Sequence, residues 1–581
     1  MLCTVIATAM VLVFVKCFPM SNPVRKLLLV LLFLLALICL AGVVYARFWL
    51  DPMLKDKLVT STSAASNGMY ALQIDHLHVN IFTGSVALDG VQLRTDTVLW
   101  EARHQASPDS SPIKIKLWIK RLRINDISWI RFWRTKDLDL DGIQIVEPQL
   151  DVVIVKDTAQ ADSHKIDTLN QGILDRLPQL IAPFANRLHI DYLAVSNGKL
   201  SLHHLRNNQS SIHRVDSING VLSKINLTPK DSTIHDKALY CDNILFTLHN
   251  YEWYPAGNVY GYHIRTVRID EKDALVALEG VDILPKISDG EFGQRLRLRE
   301  PRVKISIKEI LINKFDLFRA LHKQEFTMQS VVLENAWINL FQNKNLPLSR
   351  HKRMPHELFR TINSYLNIDT ILVRNSNILY TELLGNQDGQ LEFENVNGVI
   401  LNISNDSLKM SDATPARIDA RAELMGAGLL DLSLQIPLLT PTFRCDYSAH
   451  LGAIDMTYLN RLLEDKNKIR VETGQAEKII LKVQVRNGLA QGKLEATYNN
   501  LAISLLDKKD GSKKWLTSAI ANMVIRGKNK RGSVDNPFKV GTIYYRRERT
   551  DGLLRFIWRS AQMGLMATLV PRNISGGKMP D

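Results

Sequence analysis

The chain has 581 residues, of which 46% are hydrophobic and 23% charged, and its formal net charge at pH 7 is +14. This mixture is typical of an ordered globular body and excludes a largely disordered chain. The positive charge is concentrated near the C-terminus, because residues 508–559 contain 14 Lys or Arg against four acidic residues.

The cysteine count excludes a disulfide framework. Cys3, Cys17 and Cys39 lie in or beside apolar N-terminal stretches, which leaves Cys241 and Cys445 for the rest of the chain. Two cysteines so far apart in sequence are more often buried small hydrophobic residues than bridge partners. We therefore expect two free thiols.

The first predicted element is a membrane anchor, residues 27–46, which contains no charged residue. Twenty helical residues extend about 30 Å, the thickness of the hydrocarbon core of a bilayer. Arg25 and Lys26 precede this segment, and Phe48 and Trp49 follow it, which favours a cytoplasmic N-terminus. The pattern predicts a single-pass protein with the bulk of the chain exported.

Residues 1–18 are also apolar, interrupted only by Lys16. This segment is consistent with a second span, a signal-like segment or translated sequence upstream of the true start. A start at Met20 would give an ordinary short N-terminus before a signal anchor. We take that start as a hypothesis, which the native N-terminus would test.

Beyond Ser66 the sequence alternates apolar and polar residues, as half-buried strands do. Four strings share an acidic residue followed by Gly or Asn between alternating aliphatic residues: 86–93, 138–145, 276–283 and 331–338. Asp-Gly in this setting predicts a two-residue hairpin turn, and the alternative is a glycine bulge within one long strand. Either way, residues such as Leu88 and Val91 are expected on one face.

A longer repeat encloses these strings. Residues 119–125 are echoed at 307–313, and residues 188–197 at 366–375, with helices predicted over residues 166–185 and 355–365. We therefore predict a first β unit at 67–300, a second at 301–506 and a basic tail at 507–581 that ends in a helix over 552–569. Within the second unit, a short helix is expected from Asp455 and strands over 478–506.

With its single anchor, the repeated Leu-x-Leu-Asp-Gly-Ile-x-Ile strings and the late segment 453–506, the chain resembles the AsmA-like family of bacterial envelope proteins, relatives of TamB and the bridge-like lipid transfer proteins. The resemblance covers most of the chain. It implies a mainly β fold, an elongated U-shaped antiparallel groove with an apolar concave face. It also implies a place in the inner membrane with the body in the periplasm, and a role in moving lipids between envelope membranes.

An apolar sheet face would favour acyl chains by about 0.8 kcal/mol for each CH₂ removed from water. The expected partners are therefore a membrane and a phospholipid or other envelope lipid, with no cofactor and no nucleic acid. The competing hypothesis is a non-enzymatic scaffold that holds an envelope protein partner on the same sheet. The residues expected to face lipid are Val86, Leu88, Val91, Leu93, Leu138, Leu140, Ile143, Ile145, Val276, Leu278, Val281 and Ile283.

Sequence motifs for chemistry are weak. Asp137, Asp139, Asp141 and Gly142 match the opening of a calcium loop, but Pro148 stands where the final Glu is needed. The histidines form no zinc motif, and no nucleophile elbow, P-loop or dinucleotide fingerprint is present. We therefore expect no metal site and no enzyme.

The basic tail has two remaining interpretations once export argues against nucleic acid. Aromatic residues interleave with its charges, which suits an anionic lipid surface. The alternative is a helix that packs on the end of the groove with its charges in water. The residues expected at an anionic surface are Lys528, Lys530, Arg531, Arg546, Arg547, Arg555 and Arg559.

Overall fold

The computed structural model describes residues 46–80, 83–106, 113–156, 185–206, 209–228, 237–348, 351–385, 387–461, 463, 469–505, 526–532 and 537–569. These residues are mainly β, with short helices between long strands. The chain forms two compact units, Met1–Leu248 and His249–Asp581.

The first unit begins, in its described part, with a π-helical turn, Ala46–Leu50. Helix α1 (Asp51–Ala65) follows directly and has Pro52 at its first turn, where a missing N–H costs nothing. The other elements, in chain order, are β1 (Tyr70–Asn80), β2 (Ser85–Thr95), α2 (Thr97–Ala106), β3 (Ile113–Asn125), α3 (Trp129–Thr135), β4 (Asp137–Lys156), β5 (Arg187–Arg206), β6 (Gln209–Leu227) and β7 (Asn243–Tyr254), which contains the boundary between the units.

The second unit holds the remaining strands and four short or medium helices among its described residues. Helix α4 starts with a capping box in which the Ser288 hydroxyl accepts from the backbone N–H of Glu291. The elements are β8 (Tyr260–Asp270), β9 (Leu275–Pro285), α4 (Asp289–Leu296), β10 (Arg302–Asn313), α5 (Leu317–Lys323), β11 (Glu325–Asn343), α6 (Pro355–Phe359), β12 (Tyr365–Leu384), β13 (Gln387–Ser404), β14 (Ala416–Leu424), β15 (Gly428–Ile436), β16 (Cys445–Leu451), β17 (Ile454–Asp455), a 3₁₀ turn (Met456–Leu459), β18 (Ile469–Arg486), β19 (Leu489–Leu505), β20 (Val540–Arg546) and α7 (Leu553–Leu569).

Strand pairing repeats between the units. Strands β1 to β4 pair antiparallel in chain order, β4 and β5 are parallel, and β5 and β6 are antiparallel. Strands β8 to β11 are likewise antiparallel, β11 and β12 are parallel, and β12 and β13 are antiparallel. A parallel pair requires a long crossover, so its recurrence after four antiparallel strands confirms the internal repeat.

The hairpin prediction for the Asp-Gly strings is wrong. All four strings lie inside single strands, namely β2, β4, β9 and β11. The pairing of β2 with β1 runs from Tyr70↔Thr95 to Asn80↔Ser85 with one constant register, so no residue is inserted as a bulge. Each string therefore lies within one long strand, as in the alternative interpretation, but β2 contains no bulge at the glycine.

Helix α1 lies against the first strand. The Asp51 Oδ1 atom accepts a hydrogen bond from the backbone N–H of Val79 at 3.0 Å, and Lys55 Nζ donates to the carbonyl of Asp75 at 3.1 Å. Leu54 packs on the apolar side chains of the sheet. Helix α1 is thus held by both the backbone of β1 and the sheet core.

The second unit has a core between its last strands and α7. Phe556 of α7 is fully buried, with its ring centroid 5.6 Å from those of Phe443 and Tyr545. The hydroxyl of Ser560 is hydrogen-bonded to that of Tyr447, which is also buried. Part of the predicted basic tail is therefore a folded strand and helix, β20 and α7.

The remaining predictions from the sequence have mixed outcomes. The free-thiol prediction is confirmed, since Cys241 and Cys445 are buried free cysteines. The helix at 552–569 and the strands over 478–506 are confirmed. The helix predicted at 355–365 is shorter: it ends at Phe359, and Tyr365 is the first residue of β12. The element at Asp455 begins as a 3₁₀ turn, Met456–Leu459. The unit boundary at residue 300 stays a prediction.

Several predictions concern residues that are not described. They are the apolar segments 1–18 and 27–45 and most of the predicted helix 166–185. Among the described helices, none combines the length and the apolar composition that a bilayer crossing requires.

Candidate functional site: the apolar sheet face

One apolar cluster of the first unit lies on one face of its sheet. The buried members of this cluster are Ile74, Leu77, Leu88, Val91 and Ile119, each exposed by 9% or less. The half-buried residues packed against them are Leu72, Val79, Val86, Leu117, Leu122 and Ile145 of the strands, and Leu54 of α1. Among the described members of this cluster, only Leu54 comes from outside the strands. The cluster is therefore one side of a single sheet layer.

This face depends on a change of side-chain direction within each strand. Ile74 and Leu77 are three residues apart, as are Leu88 and Val91, yet all four belong to one cluster. Residues three apart in a regular strand point to opposite faces. In β2 the change occurs at Gly90, which has a φ of +64°, a value that glycine adopts without strain.

The positions level with Gly90 in the neighbouring strands form a row across the sheet, and two of them also have positive φ values. The register places Gly90 opposite Lys120, Lys120 opposite Glu147, and Glu147 beside Asn197. Glu147 and Asn197 have φ values of +49° and +52°. Lys120 Nζ and Glu147 Oε1 are 2.6 Å apart, as expected of direct neighbours. Because the side-chain direction changes at this row, the aliphatic residues before it and after it in each strand lie on the same face of the sheet.

The second unit contains an equivalent row. Gly280, with a φ of +62°, lies opposite Lys308, which lies opposite Asn335, and Asn335 lies beside Asn375. Asn335 and Asn375 have φ values of +52° and +48°. The fourth string of the repeat, with Asn in place of Gly, therefore adopts the same backbone shape, because Asn tolerates the left-handed region.

The residues expected to face lipid in the first unit share this face in part. Val86, Leu88, Val91 and Ile145 belong to the cluster described above. The others are placed by register: Leu93 lies opposite Leu72 and Leu117, Ile143 opposite Ile124 and beside Leu193, and Leu138 and Leu140 beside Leu188 and Ile190. Leu138 and Leu140 lie beyond the last residue of β3, so their aliphatic neighbours are on β5.

The corresponding residues of the second unit form aliphatic cross-strand pairs. Val276, Leu278, Val281 and Ile283 of β9 each face an aliphatic residue of β10. These pairs are Val276↔Ile312, Leu278↔Ile310, Val281↔Ile307 and Ile283↔Ile305. The first three also pair with Ile269, Val267 and Ile264 of β8. All four β9 side chains are buried or half-buried.

Ion pairs join neighbouring strands in both units. Arg121 and Asp89 meet at 2.5 Å in the first unit, and Arg421 and Asp431 meet at 2.6 Å in the second. The hydrogen bond from Arg421 lowers the pKa of Asp431 below its usual range. The charged form of Asp431 is thereby stabilised, which suits a solvated sheet surface more than proton transfer.

Four of the basic residues expected at an anionic surface make contacts within the protein. Lys530 pairs with Glu477 at 3.0 Å, Arg531 with Glu495 at 2.8 Å, and Arg555 with Asp551 at 2.9 Å. Arg547 donates to the carbonyl of Lys352 and lies 3.6 Å from Glu357. Lys528 and Arg546 are exposed, and Arg559 is half-buried. These contacts favour the interpretation of a packed terminal helix for part of the set.

The partial calcium motif lies in strand β4 and not in a helix–loop–helix. Asp139 is engaged by Arg131 at 2.6 Å and by Arg187 at 3.0 Å. In the part of the chain that the structure describes, no group of three or more His, Cys, Asp or Glu side chains has the arrangement of a metal site.

Two buried polar residues of the second unit were missed from the sequence. Asn529 is fully buried and bonds three backbone groups, the carbonyls of Ala496 and Lys539 and the N–H of Lys539, at 2.7 to 2.9 Å. Asp551, also fully buried, accepts from the Tyr545 hydroxyl at 2.7 Å. Burial, reinforced by this carboxylate, raises the pKa of Tyr545. Neither residue stands in a sequence motif, so only their contacts identify them.

Comparison with known proteins gives no assignment. The sequence matches no protein-family model, and no curated protein was found to be significantly similar to it.

Proposed function

We propose that this protein is a membrane-anchored, non-enzymatic lipid carrier whose apolar sheet face binds or conducts lipids between the membranes of a bacterial envelope. In this proposal residues 27–46 hold the chain in the inner membrane and the two β units lie in the periplasm. The strands form a U-shaped groove, and its concave side is the aliphatic face. The AsmA-like resemblance of the sequence supports this arrangement.

One observation carries the proposal: the apolar cluster of the first unit is one side of a single sheet layer. An ordinary β protein buries such a face under a second layer of sheet or helix. Here the described members of the cluster are strand residues apart from Leu54. The half-buried members of the cluster, among them Leu72, Val86 and Leu117, keep exposed apolar surface that acyl chains can cover, while headgroups stay in water.

The backbone rows support transport along the sheet as well as binding. Regular alternation would restrict the aliphatic side chains to one stretch of each strand and place the next aliphatic residues on the wet side. The left-handed residues Gly90 and Asn335 keep the aliphatic face continuous on both sides of the row in their own unit. A lipid that moves along such a face within one unit stays in contact with apolar side chains.

Adjacent residues on opposite faces provide the test. A photo-crosslinking amino acid at Leu93 is on the aliphatic side by register, whereas the same group at Gln92 is on the other side. Irradiation of the full-length protein in its native membranes should attach lipid at position 93 and little or none at position 92. Equal labelling at both positions, or none at either, would refute the proposed face.

The alternative is an envelope scaffold that holds a protein on the same face. Extraction of the full-length protein in membrane-derived particles, followed by mass spectrometry, separates the two functions. The lipid carrier should retain phospholipid beyond the annular amount, and Ile143→Asp should lower that amount. A chain that crosslinks protein at Leu93 and retains no such lipid would favour the scaffold.

A further inference from the structure

We propose that helix α3 is a second membrane contact, an interfacial foot that rests on anionic phospholipid beside the anchor. This inference rests on the proposed membrane anchoring of residues 27–46. It concerns the described residues of the first unit alone.

Helix α3 is unusually apolar for an exposed element. Its seven residues, Trp129–Thr135, include three aromatic rings and two arginines and no acidic residue. The side chain of Trp133 is 80% exposed and that of Trp129 is 38% exposed. Single exposed aliphatic residues are common on proteins, but a nearly bare Trp beside a second exposed Trp points to a surface that is covered in use.

The structure places this helix at the end of the sheet where the chain enters from the anchor. Asp51, which follows the π-helical turn, bonds the backbone of Val79, and Val79 pairs with Val86 near the start of β2. Just beyond that pair, the carbonyl of Gly84 accepts from the N–H of Ile127 at 2.9 Å, two residues before α3. Both connections therefore leave the same end of the strands.

The π-helical turn presents further exposed aromatic residues at this end. Phe48 and Trp49 are each 72% exposed and follow directly on the apolar segment 27–46. Trp is favoured at the membrane–water interface, where its ring is at headgroup depth and its N–H is hydrated. The aromatic residues of the turn and of α3 together suit one bilayer surface.

Charge supports an anionic lipid surface as the occupant. Arg134 and Lys136 are exposed, and Lys136 Nζ lies 5.2 Å from the ring centroid of Phe132. Arg131 pairs with Asp139 but keeps about half of its side chain exposed. Each Lys or Arg near an anionic leaflet is attracted to its negative surface potential. Seven helical residues extend only about 10 Å, so α3 can lie in the interface but cannot cross it.

A second contact has a mechanical consequence. One spanning helix leaves the body free to rotate about the membrane normal and to tilt. A foot beside it fixes both motions, so the apolar face of the first unit keeps one orientation toward the bilayer. Lipid could then pass between the bilayer and the face without repeated reorientation.

The experiment uses the full-length chain with Cys3, Cys17 and Cys39 replaced by Ala, since Cys241 and Cys445 are buried. A single cysteine at Trp133, Trp49 or Val98 carries an NBD fluorophore, and the protein is reconstituted in vesicles of phosphatidylethanolamine and phosphatidylglycerol. Val98 is the matched control, because it is 75% exposed on α2, which follows β2 at the opposite end of the sheet. Eleven strand residues separate the two ends by roughly 35 Å.

Doxyl-labelled lipid should quench most of the emission at positions 49 and 133 and leave position 98 bright. Arg134→Glu with Lys136→Glu should restore emission at 133 alone. Quenching at 49 without quenching at 133 would overturn the foot and leave the anchor intact. Three bright positions would overturn the anchor and the foot together, and quenching at both 133 and 98 would overturn a contact confined to one end.

Discussion

A Cβ atom on Gly541 of β20 would lie 1.9 Å from the carbonyl oxygen of Gly564 in α7, so the backbones of strand and helix are in contact at this point. A Cβ atom on Gly564 would in turn lie 2.8 Å from Cβ of Leu494. The close approach allows Phe556 and Ser560 to reach the core beneath the helix. The packing of α7 therefore depends on the absence of two side chains.

Gly564→Ala should destabilise the second unit by about 1–3 kcal/mol, because overpacking outweighs the gain in helix propensity. Gly290→Ala is the matched control, since Gly290 is in α4 with nothing within 4 Å of an added Cβ. Denaturant unfolding of the full-length protein should show a lower midpoint for the first variant and an unchanged or higher midpoint for the second. Equal midpoints would contradict the close contact.

Asn529→Ala should be more destabilising than Asn345→Ala. Both side chains bond backbone groups, but Asn529 is fully buried whereas Asn345 is exposed and bonds Gly385 at 2.7 and 2.9 Å. Each buried group left without a partner costs about 1–3 kcal/mol, and water replaces the bonds at the exposed site. Thermal unfolding of the two variants checks the order, and a smaller loss for Asn529→Ala would refute the argument.

Substitutions at Asn335 test whether the row of left-handed residues in the second unit is held in that conformation. Asn335 is exposed, so a substitution there changes mainly the backbone preference. Asn335→Gly should leave the free energy of unfolding nearly unchanged, and Asn335→Val should lower it by about 1–2 kcal/mol, the cost of a positive φ for a branched residue. Equal stability of the two variants would show that the row is not held in this conformation.

Because His356 is buried, we expect the protein to lose stability in mild acid. His356 is 4% exposed and stacked on Phe443, and burial lowers its pKa, with Arg547 and Arg360 acting in the same direction and Glu357 opposing them. Stability is complete above the unfolded pKa of about 6.5 and falls as the pH drops below it, because the unfolded chain then binds the proton more readily.

The measurement is the pH dependence of the unfolding midpoint. His356→Phe should lose less stability on acidification than the parent chain, and His351→Phe, at a half-exposed side chain, should resemble the parent. An unchanged slope for His356→Phe would mean that this ring does not titrate on unfolding.

Much of the sheet could be predicted from the sequence, and the error about the turns has a physical reason. Leu88 and Val91 were expected on one face and are found there. The sequence signal reports only a residue that tolerates positive φ, and both a hairpin turn and a left-handed residue within a strand need one. Asn487 and Gly488 have the same signal and do form a hairpin, between β18 and β19. The partner strands decide between these structures, and local sequence does not encode them.

The packed terminal region was harder to predict for a related reason. Val540–Arg546 contains two tyrosines and one arginine and belongs to the segment that the sequence predicts as a basic tail, yet it pairs with β19 as a strand. Asn529 gives no apolar signal at all, although it is among the most buried residues. Composition describes how a segment interacts with solvent, whereas these residues are ordered by partners distant in sequence.

Helix α1 also limits how the protein can assemble. An open strand of 11 residues such as β1 would be a template on which a strand of another molecule could add. Asp51 and Lys55 instead engage backbone groups of β1 at Val79 and Asp75. The sheet therefore has a defined beginning, and this edge is less open to a strand from another molecule.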